Sequence, residues 1–250
     1  MNYSSGSQFA APPVTPAIKW LLIANAVIWV GLQTLGEGYF GLPIAKYFSL
    51  YPGRVIESFY VWQLVTYMFL HTTSLSHILL NMLSLWFIGG ELEQRWGSRF
   101  FLFYYFASGI GAALFYCFGI ALYTALTGNQ LGLYVPVMGA SGSIFGLLLA
   151  FGILFGERTL NFWMIFPMKA KVFVMILAGI EVVSLLNSGI SGGEVANLAH
   201  LGGFVAGYLT LLGYTRMQQQ GKKTKARNLR LVVDNENKPP KAGGGPKYWN

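Results

Sequence analysis

Charge is scarce in this chain. Only 10% of its 250 residues are Asp, Glu, Lys or Arg, whereas a soluble domain of this size carries about 25%. Apolar residues make up 54% of the chain, so most of it is expected in lipid. Aspartate is rarer still: the one Asp is Asp234, in the C-terminal stretch. That excludes a catalytic dyad of two intramembrane aspartates sharing a proton. No HExxH segment occurs, which excludes the zinc-protease helix with two histidines one turn apart. The single cysteine, Cys117, rules out a disulfide framework within one chain and says nothing of the redox compartment. No internal repeat is evident, which counts against transporters built from repeated halves. A channel would also need more polar lining than these spans offer.

What the chain has is apolar length. A bilayer-crossing helix needs about 20 mostly apolar residues. Residues 17–35, 75–92, 99–124, 141–156, 171–187 and 196–214 qualify or come close. Stretch 55–70 is also apolar, but it is short and interrupted by Glu57 and Gln63. It reads as an interfacial part of a long external loop, 36–74. Segment 17–35 reads as a retained first span, because no small-residue cleavage site with a soluble domain follows it.

The basic residues set the expected topology. Nine of the 17 lie in 215–250, Arg95 and Arg99 flank the second-to-third turn, and Arg158, Lys169 and Lys171 flank the fourth-to-fifth. The positive-inside rule puts this set in the cytoplasm, and six spans then put both termini there. The expected organisation is a short cytoplasmic segment 1–16, a six-helix membrane domain 17–214 and a basic, disordered cytoplasmic tail 215–250. The tail serves as a topology anchor, with anionic lipid headgroups as a sharper alternative. A basic tail this small is poor evidence for nucleic-acid binding, and no nucleic-acid partner is expected.

Ionisable and polar residues inside spans are expensive, so each is a functional candidate. Here they are His77, Asn81, Ser141, Glu181 and His200, with His71 just outside a span. A serine nucleophile needs a Ser and a His that can meet, and only this route to proteolysis in a membrane has its parts. Ser141 lies between Gly139 and Gly142 where a helix begins, in VMGASGSIFGLLLAFG. A Ser at a helix start is commonly an N-cap. The flanking glycines point elsewhere, because they permit an unusual turn and close approach of another chain. The helix N-terminus also offers N–H groups suited to a developing oxyanion. The pattern differs from the soluble elbow G-x-S-x-G, since position 143 is Ser.

His200 shares a helical face with Gly203 and Gly207, three and seven residues on. Gly203 and Gly207 form a small-xxx-small pair, as do Gly142 and Gly146 in the fourth span, and such pairs let membrane helices approach closely. Packing the two glycine faces together is predicted to bring His200 beside Ser141. His77 and Asn81 are one turn apart on one face of the second span. They read as interhelical hydrogen-bonding groups or, beside a nucleophilic serine, as oxyanion donors. Glu181, toward the outer end of the fifth span, reads as a structural hydrogen-bonding partner or a gating residue.

The motifs GASG at 139–142, AHLGGFVAGY at 199–208 and HILLN at 77–81 resemble, in order and placement, those of bacterial rhomboid intramembrane proteases. The resemblance covers roughly 17–214. It implies an all-α polytopic membrane protein with a six-helix core. Ser141 and His200 would form a catalytic dyad without an acid, and His77, Asn81 and the Ser141 N–H an oxyanion hole. Phe145 matches an aromatic that packs on the catalytic His. A water-filled cavity would open to the outside, and the enzyme would sit in the inner membrane. Single-span membrane proteins cut after small residues would be its substrates, with membrane lipids as its other partners and no cofactor or metal. Two features depart from or complicate the pattern. Trp62-Gln63 replaces a common Trp-Arg in the long loop. No acid lies near His200 in its own span, Glu194 being six residues earlier in the loop GISGGE, so packing and solvent are expected to orient the His and turnover to be slow. Loop 188–196 is expected to move to admit substrate. A non-catalytic rhomboid-like protein that escorts membrane clients would be expected to have lost the Ser or the His, and this chain keeps both.

Overall fold

The structure, a computed structural model, describes residues 13–162, 166–188 and 196–227. The chain divides into two units, Met1–Leu212 and Gly213–Asn250. Six long or apolar helices occupy the six stretches expected from sequence. The first is α1 (Pro16–Val27), which continues as a π-helix over Ile28–Tyr39. The others are α5 (Leu75–Trp96), α6 (Ser98–Thr127), α7 (Ser141–Leu154), α8 (Ala170–Ser188) and α9 (Ala196–Arg227). Four of them, Pro16–Tyr39, Leu75–Trp96, Ser98–Thr127 and Ala170–Asn187, are long and apolar enough to cross a membrane. The chain is a polytopic, all-α membrane protein.

Stretch 55–70 forms no span. Between the first and second long helices the chain folds into α2 (Ile44–Phe48), α3 (Pro52–Ser58), α4 (Gln63–Thr66) and a 3-10 turn at Tyr67–Phe69. Two features lie outside the sequence reading. A short antiparallel hairpin, β1 (Thr159–Phe162) and β2 (Phe166–Lys169), joins α7 to α8. The helix α9 also runs on to Arg227, into the stretch expected to be disordered. Its last turns, MQQQGKKTKAR, are mostly good helix formers, and low hydrophobicity alone does not prevent helix from propagating off an existing one.

Helix α7 positions the site. It packs against α5, α6 and α8, and Ile144, Leu147, Leu148, Ala150 and Phe151 around its circumference are buried. A helix apolar all round needs partners all round. Its 14 residues span only about 21 Å, short of the ~30 Å hydrocarbon layer. Set across that layer, α7 would leave at least one end inside it. Large side chains such as Trp20, Leu80, Phe118, Met175 and Leu209, on the outer helices, are exposed, as expected of surfaces that face lipid.

The N-terminus of α1 is held by a carboxylate from another helix. Glu93 of α5 accepts from the Ala17 N–H at 2.8 Å, the Ile18 N–H at 3.0 Å, the Ser98 hydroxyl at 2.6 Å and the Thr15 hydroxyl. It fills the role an N-cap side chain would otherwise take. At the α7–α8 turn, Arg158 pairs with Glu91, and Lys169 and Lys171 pair with Glu157. The two ammonium groups hold the exposed Glu157 carboxyl down at about 2.

Candidate active site

Ser141 is not an N-cap. That position belongs to Ala140, and Ser141 is the first residue of α7. The approach to it is fixed from outside the helix. Val137 and Leu50 exchange backbone hydrogen bonds at 2.9 and 3.0 Å, and the Gly139 N–H donates to the Tyr67 carbonyl at 2.9 Å. Gly139 has φ +130°, a conformation that strongly favours glycine. It also leaves space: a side chain there would begin 3.1 Å from His77 Nε2 and 3.7 Å from Ser141 Oγ. Freed from capping, Ser141 Oγ lies 2.8 Å from His200 Nε2.

The imidazole of His200 is fixed on three sides. Its face stacks on Phe145, with centroids 4.3 Å apart and planes 14° off parallel. Phe204 in turn packs edge-on against Phe145 at 5.1 Å. Nε2 meets Ser141. Nδ1 lies 3.1 Å from Oε2 of Glu181, on α8. That contact lacks the alignment of a full hydrogen bond, and among the described residues neither atom has another hydrogen-bond partner. The expectation that His200 has no acid beside it is therefore corrected. The acid comes from a neighbouring helix, not from its own span. Glu194 lies outside the described residues, as does most of loop 188–196.

The glycine faces meet as predicted. A methyl group on Gly203 would overlap the carbonyl of Gly142. On Gly207 it would begin 2.9 Å from Gly146 Cα, and on Gly146 it would begin 3.2 Å from the Gly203 carbonyl. Helices α7 and α9 are thus in backbone contact, and no residue larger than Gly fits between them without displacement.

His77 faces the same space. Its Nδ1 accepts from the Thr72 N–H at 3.1 Å and lies 3.0 Å from the Thr72 hydroxyl. A backbone N–H can only donate, so the proton of a neutral ring is assigned to Nε2, the nitrogen nearest Gly139. Asn81 Nδ2 donates to the His77 carbonyl at 2.8 Å, an i−4 bond within α5 that leaves its second amide N–H free by stoichiometry. Next to this pair, His71 is buried, with its ring 5.2 Å from that of His77. Gln33 accepts from its N–H at 2.8 Å and donates to its carbonyl at 2.5 Å. Burial, with His77 nearby, lowers the His71 ring to about 4.

The loop above the site is anchored without an arginine. Gln63 is fully buried. It accepts from the Tyr51 N–H at 3.0 Å and donates to the Tyr47 carbonyl at 3.1 Å. Trp62 Nε1 donates to that same carbonyl at 3.0 Å. A neutral amide, donor and acceptor at once, ties α4 to the residues before α3. Among the described residues no group of three His, Cys, Asp or Glu side chains is arranged to hold a metal.

A family model described as Rhomboid domain matches residues 58–217. RHOMBOID-like protein 1 of Arabidopsis thaliana is 37% identical over 169 residues, 67% of this chain and 38% of that protein. RHOMBOID-like protein 12, mitochondrial, of the same plant is 31% identical over 195 residues, 73% of this chain and 54% of that one. Rhomboid protease GlpG of Serratia proteamaculans (strain 568) is 29% identical over 216 residues, 86% of this chain and 67% of that protein. The chain spans 38% and 48% of the lengths of the first two curated relatives it matches. The family model spans residues 58–217, more than half of this chain, and the chain belongs to the rhomboid family.

Proposed function

We propose that this chain is an intramembrane serine endopeptidase that cuts transmembrane proteins in or near their membrane helix. The 2.8 Å contact between Ser141 Oγ and His200 Nε2 is the observation that carries this reading. Ser141 Oγ attacks the substrate carbonyl carbon while His200 Nε2 takes its proton. The oxyanion that develops is met by the Ser141 N–H, the His77 Nε2–H and the free N–H of Asn81. The substrate C–N bond then breaks as His200 returns the proton to the leaving amine, and water hydrolyses the acyl-enzyme by the same route. The recessed end of a short α7 and the space held open by Gly139 support a site reached from the membrane region, where a substrate helix unwinds.

The substrates are single-span membrane proteins. The chain works in the inner membrane of a bacterium as a multi-pass protein, with both termini in the cytoplasm and 215–250 as a basic tail. The alignment over most of its length with a bacterial relative and the placement of the basic residues support this. Comparing membranes that carry wild type with membranes that carry Ser141→Ala tests the function. Wild type should release soluble fragments of membrane proteins that the variant does not. Identical fragment sets, with clients retained by both forms, would favour an escort protein and overturn the protease reading.

A further inference from the structure

Helix α8 is apolar from Val172 to Val183 with one exception, Glu181. A carboxylate in that setting is costly unless something compensates it. Its side chain is only 13% exposed, and Oε2 lies 3.1 Å from His200 Nδ1. Among the described residues neither Oε2 nor Nδ1 has another hydrogen-bond partner, and both atoms are shielded from solvent. The two ring nitrogens of His200 are thus divided between Ser141 at Nε2 and Glu181 at Nδ1, while Phe145 covers a ring face.

We propose that Glu181 is the positioning residue of His200, so that Ser141, His200 and Glu181 act as a triad assembled from α7, α9 and α8. This rests on the proposed reading of Ser141 and His200 as nucleophile and base, and goes beyond a two-residue site. The logic is that of tautomer choice. For Nε2 to accept the Ser141 proton, the ring's own proton must sit on Nδ1. A carboxylate at Nδ1 favours that tautomer. When the Oγ–H bond breaks and Oγ bonds to the substrate carbon, the proton moves to Nε2. The imidazolium formed then lies against a negative charge. The contact is off the ideal Nδ1–H direction, so the carboxylate acts on the ring by its charge at 3.1 Å. A purely structural tie between α8 and α9 would account for the same distance, but it would affect stability and binding, not the chemical step.

The full-length protein in liposomes, reacted with a fluorophosphonate probe, separates the two roles. Ser141 Oγ displaces fluoride from phosphorus while His200 takes the Oγ proton, so the saturating labelling rate reports the step that Glu181 assists. The half-saturating probe concentration reports binding. Glu181→Gln should lower the saturating rate about 100-fold, less than the ~10⁴ lost from an aligned soluble triad. Half-saturation and Tm should stay near wild type. Glu181→Asp should fall between the two. An unchanged rate in Glu181→Gln, or a rate that falls only in step with Tm and half-saturation, would overturn the proposal. If Glu181→Gln does not fold, Glu181→Asp decides by the same criteria, since it keeps the charge and withdraws it by one methylene. A wild type that does not label at Ser141 would overturn the underlying reading, and this one with it. A labelling wild type with an indifferent Glu181 would overturn this one alone.

Discussion

Gly203 of α9 lies so close to Gly142 of α7 that the Gly142 carbonyl occupies the space a side chain on Gly203 would need. One turn before Gly203 is His200, and next to Gly142 is Ser141. The depth of the glycine contact therefore sets the distance between the Ser141 and His200 side chains. Gly203→Ala should separate the helices, cost about 1–3 kcal/mol as an overpacked contact, and reduce fluorophosphonate labelling at Ser141 far more than it lowers Tm. Labelling unchanged at a lowered Tm would mean that the contact supports the fold without setting the geometry.

Gln63 should matter to the loop and not to the chemistry. Gln63→Ala leaves the half-buried Tyr51 N–H without its acceptor and removes one of the two donors at the Tyr47 carbonyl. Losing a partner of a buried group costs about 1–3 kcal/mol. Thermal unfolding should register this, while the saturating labelling rate of the folded protein should stay within about threefold of wild type, since a cost confined to the loop leaves the reaction barrier alone.

Much of this site is legible in the sequence, for reasons that can be named. The Ser141–His200 contact follows from helical periodicity, since Gly142 and Gly146, like Gly203 and Gly207, mark faces that can touch. The partnership of Glu181 is not legible in the same way. An apolar α8 carries no periodic signal for which side meets α9, so the sequence places Glu181 in a span but not against Nδ1. Gln63 stands out in the sequence as a polar break in stretch 55–70 and as a departure from the family pattern, but its two backbone partners come from residues 12 and 16 positions earlier. The π-helical run Ile28–Tyr39 has no sequence signature we can identify.

Removing the carboxylate that caps α1 should destabilise the bundle. Glu93→Ala strips acceptors from the Ala17 and Ile18 N–H groups and from the Thr15 and Ser98 hydroxyls. Hydrogen bonds to charged groups are worth about 1.5–3 kcal/mol each and are not additive, so a loss of about 3 kcal/mol is expected. Glu93→Gln, which keeps one acceptor oxygen, should lose less. Equal Tm values for the two variants would contradict this account of the cap.

Acid should weaken the protein through His71. Burial, reinforced by His77, lowers its folded-state value to about 4, against about 6.5 in an unfolded chain. The unfolded state therefore binds the proton more readily. The stability that goes with a neutral His71 is intact above pH ~6.5 and is lost as pH falls toward 4, by up to about 3 kcal/mol. Tm measured from pH 7 to pH 4 should fall less steeply in His71→Gln than in wild type. Parallel curves would show that His71 is not part of the acid response.

The central claim is that Ser141 is a nucleophile activated by His200. Its most direct test is fluorophosphonate labelling of the full-length protein in liposomes, with the modified residue located by peptide mapping. The account predicts an adduct on Ser141 in wild type, no adduct in Ser141→Ala, and none in folded His200→Ala over the time in which wild type reacts to completion. Absence of labelling in folded wild type, an adduct on another residue, or equal labelling in His200→Ala would contradict it.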